Sequence, residues 1–123
     1  EPTPEFVNVV QEEVNGFLDA CATQQVLQPT GCPFGFFVTN RIVAPPEWSM
    51  AEYPVVNVVP HGAGWRIVPA GGRAHINVGV RSLFDGSVRN VDEDVEFTID
   101  GTITLLGDGT ISIRVGGGEQ GLD

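Results

Sequence analysis

Apolar residues change their spacing once along this chain, and that change restricts the fold more than any other feature. Val7, Val10, Val14, Phe17, Leu18 and Cys21 recur at steps of three and four, the stripe of an amphipathic helix with one buried face. Past Pro29, which forbids the helix from continuing, the step falls to two and β-branched residues dominate. Ala74, Ile76, Val78 and Val80 alternate with His75, Asn77, Gly79 and Arg81. Val95, Phe97 and Ile99 alternate with Glu96, Thr98 and Asp100, and Ile103, Leu105, Ile111, Ile113 and Val115 continue the pattern. A sheet so patterned has one apolar face that needs a cover, and the single helix is the apolar surface available.

The spacing predicts a helix over 6–25, in which Gly16 costs about 1 kcal/mol relative to alanine and marks the close approach of a strand. Strands are predicted over 36–43, ended by Pro45 and Pro46, over 48–59 with an edge or bulge at Pro54, and over 64–68 between Pro60 and Pro69. Asp85-Gly86, Asp100-Gly101 and Asp108-Gly109 each lie between alternating runs and predict tight hairpins. The fold class is α+β: one long N-terminal helix packed on a curved antiparallel sheet of about five to six strands. Strands over 73–84 and 88–99 are long enough to bend around the helix. A β-sandwich with a peripheral helix is the alternative. Residues 1–5 read as a linker, 6–115 as a single domain and 116–123, with three consecutive glycines, as a flexible tail.

The 123 residues make one core, and 41% apolar against 18% charged residues is the balance of a folding chain. Six arginines without lysine face 16 acidic residues, a net charge of −10. Nucleic acid is thereby excluded as a direct partner, and an anionic membrane surface repels the domain, so no membrane contact by the domain itself is expected.

Cys21 and Cys32 are the only thiols. Closing the loop between them stabilises a fold by about 3 kcal/mol in the chain-entropy model. The spacing suits a disulfide; two buried thiols acting as small hydrophobes, or a redox or metal pair, are the alternatives. A disulfide implies an oxidising compartment, extracellular, periplasmic or cell-surface; an extracellular or cell-surface location is expected, with an export signal or membrane anchor upstream.

The helix end Phe17-Leu18-Asp19-Ala20-Cys21-Ala22 is followed by Leu27-Gln28-Pro29 and Gly31-Cys32-Pro33-Phe34, and later by Trp48-Ser49-Met50 and Tyr53-Pro54-Val55. Over about half its length the chain thus resembles the extracytoplasmic domains of uncharacterised membrane-anchored proteins of high-GC Gram-positive bacteria. In those proteins the domain follows a cytoplasmic segment and one membrane span. The resemblance implies a surface location and brings no activity. The order of helix then sheet is also similar to the cystatin-like and NTF2-like class, which hosts enzymes and binding modules alike.

Catalytic motifs are few. His61, in Pro60-His61-Gly62, reads as a loop residue. His75, Asn77 and Arg81 share the polar side of one strand and are the candidate ligand-binding residues. No Gly-x-Ser-x-Gly elbow and no phosphate cradle is present, and no cofactor or metal is expected. Asp92-Glu93-Asp94 with Glu96 invites calcium, but the spacing is poor for a ligand loop and a solvated acidic run explains it. Phe34, Phe36, Phe37, Trp48, Tyr53 and Trp65 are expected mostly in the core. The functional expectation is a non-catalytic extracytoplasmic module for binding, sensing or structure, with a protein, peptide or cell-wall ligand as partner and a homodimer across a sheet edge as a further expectation. The alternative is a small-ligand pocket or NTF2-like enzyme in the cone between helix and sheet.

Overall fold

The structure, a computed structural model, describes residues 3–105, 111–116 and 119–122. Helix α1 runs over Pro4–Ala22. Thr3 sets its start: the Thr3 hydroxyl oxygen accepts the Phe6 N–H at 3.2 Å, and Pro4 occupies the first turn, where its missing donor is harmless. Pro4 and Glu5, expected in a linker, therefore belong to the helix. The helix stops short of residue 25 because Thr23 turns its hydroxyl onto the Ala20 carbonyl at 2.6 Å. Gln24 then pairs through its side-chain amide with both backbone groups of Thr30, which reverses the chain.

The sheet is antiparallel and curled into a half-barrel of six strands. Its spine is two strands of 18 residues each, β5 (Gly64–Arg81) and β6 (Val88–Leu105). On one side of β5 lie β2 (Arg41–Ile42), β3 (Glu47–Glu52) and β4 (Val58–His61) in succession; β7 (Ile111–Gly116) pairs with β6 on the other. Extended strands of this length would span roughly 60 Å, and twist with local register shifts curls them. One shift falls between Ile67 and Ala70, where Pro69 sits exposed. The expected break at Pro69 is therefore a bulge inside one continuous strand, the site in a sheet where a missing amide is tolerated.

Val10, Val14, Leu18 and Cys21 of α1 are buried against the concave face with Ile67, Ala74, Ile76, Val78, Val95, Phe97 and Ile99. The helix glycine lies elsewhere: Gly16 is exposed and a Cβ there would meet nothing within 4 Å, so it marks no strand contact. Phe34 stacks at an angle on Trp48 and Phe97, with ring centroids 4.8 and 5.5 Å apart. Phe36 is also buried, whereas Phe37 is exposed. Among the described residues no polar side chain is fully buried and no helix is long and apolar enough to cross a membrane.

Three further expectations change. The strand over 36–43 is two pieces, β1 (Phe34–Phe37) and β2, because Leu27 and the Gln28 side chain take the Phe36 amide and carbonyl and draw β1 off the main sheet. The segment over 48–59 splits at Pro54, and Gln11 fills the gap: its amide donates to the Pro54 carbonyl and accepts from Val56. Asp100-Gly101 makes no hairpin but lies within β6. Gly101 serves close packing instead, since a Cβ there would stand 2.1 Å from the Arg114 carbonyl oxygen. Asp85-Gly86 does sit in the β5–β6 turn, with Gly86 at φ 75°; Asp108-Gly109 lies outside the described residues. Finally, β8 (Glu119–Leu122), in the segment composition assigns to a tail, pairs in parallel with the diverted β1.

Candidate functional site

The chain after α1 is tied down twice. Cys21 and Cys32 form a disulfide, with Cα atoms 5.9 Å apart, so the buried last turn of the helix is stapled to the segment entering β1. The Trp48 indole N–H donates to the Val26 carbonyl at 2.7 Å, fixing the intervening loop against β3. Between this loop and the sheet lies a groove of ≈ 430 Å³, lined by Ala22, Thr23, Gln25, Glu47, Trp48, Ser49, His75 and Asn77. That is the size of a small-ligand site. Its walls come from three elements: the helix end, β3 and β5.

Strand register explains the polar wall. Ser49 pairs with His75 and Glu47 with Asn77, while on the far side of β5 His75 faces Asp94 and Asn77 faces Asp92. His75 Nδ1 lies 2.7 Å from an Asp94 oxygen, and Nε2 contacts an Asp92 oxygen. Both nitrogens have donors to give only when the ring is protonated. The hydrogen bond to Asp94 is the main cause of a raised pKa; partial burial opposes it and Asp92 adds to it. The ring is thus held between two carboxylates, which favour its protonated form. The α1 C-terminus, whose last turn carries no basic residue, and Glu47 put negative potential on the opposite lip.

Serine, histidine and aspartate stand in line across β3, β5 and β6 at Ser49, His75 and Asp94, the residue types of an acyl-transfer triad. The roles are not filled, because Asp94 and Asp92 engage both ring nitrogens and leave neither facing the serine. The arrangement presents hydrogen-bonding groups along the groove.

Of the sequence candidates, His75 and Asn77 enter this groove. Arg81 does not: it lies at the far end of β5, where its guanidinium donates to the Gly86 carbonyl at 3.1 Å and supports the hairpin. His61 closes β4 and is exposed. Thr23, Gln25, Glu47 and Ser49 escaped the sequence reading; the only available signal was the polar phase of the Glu47–Glu52 alternation. Asp92 and Asp94 turn to His75, and among the described residues no group of three or more His, Cys, Asp or Glu is placed to hold a metal ion. A second groove, ≈ 270 Å³, is lined in part by Glu52, Arg73 and Glu96; there Arg73 pairs with Glu52 at 3.1 Å.

The fold and groove define an α+β domain with a disulfide-stapled helix and a polar rim. No protein-family model, no curated protein and no solved structure matches the chain.

Proposed function

We propose that this chain is a non-catalytic extracytoplasmic binding module of a membrane-anchored bacterial protein, exposed at the cell surface, and cystatin-like or NTF2-like in layout. Its ligand is a peptide, a protein segment or a cell-wall component, engaged at the groove beside the helix end. The observation that carries this reading is the polar groove lying next to the Cys21–Cys32 staple, while the concave side of the sheet is filled with apolar side chains. A disulfide supports a location outside the reducing cytosol. The packed concave side offers a buried ligand no hydrogen-bonding group among the described residues, which counts against the NTF2-like pocket or enzyme.

The test is an amide chemical-shift titration of the intact chain with short peptides and with soluble peptidoglycan fragments. The expected perturbations centre on Thr23, Ser49, His75 and Asn77, and Asn77→Ala weakens binding about fivefold or more, the value of one or two hydrogen bonds. Shifts centred on Ile67, Ile99 and Leu18 would place the ligand in the core and reject the groove.

A further inference from the structure

The most exposed aromatic side chain among the described residues is not in the groove. Phe84, at the tip of the β5–β6 hairpin, is 97% exposed, beside Leu83 at 68% and Val88 at 55%. Such a cluster on a stable scaffold marks an interaction site.

The backbone of that tip is unusual for an exposed loop, because every amide from 82 to 87 already has an acceptor inside the protein. Ser82 N–H donates to the Ser87 carbonyl and Gly86 N–H to the Ser82 carbonyl, at 2.8 and 3.0 Å. Leu83 N–H donates to the Asn40 side chain at 3.2 Å. Phe84 and Asp85 N–H both donate to the Ser82 hydroxyl, and Ser87 N–H donates to the Asp85 carboxylate. Arg81 occupies the Gly86 carbonyl. With its amides already paired, the tip pays less to enter a medium poor in water.

Charge is also uneven. Three of the six arginines, Arg41, Arg81 and Arg89, stand on the last two rungs before the tip, in a chain whose net charge is −10. Arg41 and Arg81 are directly opposed and share a face with Val88, while Arg89, opposite Val80, lies on the other face. Basic residues therefore flank the tip on both sides of the sheet and outnumber its one carboxylate, Asp85. A protein partner of ordinary kind needs roughly 800 Å² on each side, more than one hairpin tip offers, whereas a bilayer interface takes a small apolar wedge with cationic flanks.

We propose that the 82–87 tip docks into the interfacial zone of an anionic lipid bilayer, with Leu83 and Phe84 inserted and the arginines at headgroup level. The acidic body keeps the rest of the domain off the surface, so contact is confined to this pole.

The experiment is flotation of the full chain with vesicles of phosphatidylglycerol and phosphatidylcholine, and with phosphatidylcholine alone, at low and physiological salt. Binding is expected to the mixed vesicles, weaker in salt and at least tenfold lower without the anionic lipid. Phe84→Ser lowers partitioning by roughly tenfold or more, and Arg41→Gln by about fivefold. Val55→Ser, at an exposed valine outside the hairpin, leaves it unchanged. Since Phe84 is fully exposed, the variant keeps the wild-type circular dichroism and melting temperature. Absence of vesicle binding, equal binding to neutral vesicles, or wild-type binding by Phe84→Ser overturns the proposal. So does Phe84-dependent self-association in place of vesicle binding, which would assign the tip to a second copy of the chain.

Discussion

At His75 a single rung of the sheet couples charge to stability. Because Asp94 and Asp92 hold both ring nitrogens, the folded pKa lies above the ordinary value of 6.5. A group whose folded pKa is raised contributes stability that is full below the unfolded pKa and is lost as pH rises through the folded one. Asp94→Asn removes the largest cause. The titration of the His75 ring, followed by NMR, then moves down toward the ordinary value, and the fall in unfolding free energy as pH rises above 6.5 becomes shallower than in the wild type. An unchanged titration would mean that Asp94 does not hold the ring. Part of this was legible in the sequence: alternation places His75, Asp92 and Asp94 on polar faces. What alternation does not carry is register. Without it the acidic run Asp92-Glu93-Asp94 reads as an isolated patch, when two of its members clamp a histidine on the neighbouring strand.

At the scale of helices and strands, two glycines of opposite meaning give a paired prediction. Gly16 sits in the exposed face of α1 with open space at its Cβ, so Gly16→Ala stabilises the fold by about 0.5–1 kcal/mol through helix propensity and a less flexible unfolded chain. Gly101 has the Arg114 carbonyl oxygen where a Cβ would go, so Gly101→Ala forces β6 and β7 apart and costs about 1–3 kcal/mol. Urea unfolding of the two variants checks both signs, and equal effects would contradict the packing described. The same positions show why the elements were only partly legible. The helix stripe and the alternation of β5 and β6 follow from burial, which is written into residue type. Asp85-Gly86 and Asp100-Gly101 are the same dipeptide, yet one turns with Gly86 at positive φ and the other runs straight through β6. Sequence cannot separate a glycine needed for its backbone freedom from one needed for its missing side chain. Pro69 in its bulge and the pairing of β8 with β1 likewise depend on partners distant along the chain.

For the whole molecule, one cross-link joins fold to function. The Cys21–Cys32 bridge closes the helix end onto the β1 entry beside the groove, and closing a loop of that length contributes about 3 kcal/mol. Groove residues come from the end of α1, the loop after it, β3 and β5, which is why no local motif announces the site; it exists only once the helix end is held against the sheet. The hairpin tip sits at the other end of β5 from Trp65, which stacks on Phe6 near the start of α1 at 5.4 Å between ring centroids. Stapled helix, open groove and the proposed extracytoplasmic location all meet at the state of the two sulfurs in the cell. Mass spectrometry of the chain taken from its native cells, denatured and alkylated without reductant, measures that state directly. The mass without any alkyl group added, gaining two only after reduction, is the predicted result; two alkyl groups added before reduction would contradict both the staple and the location.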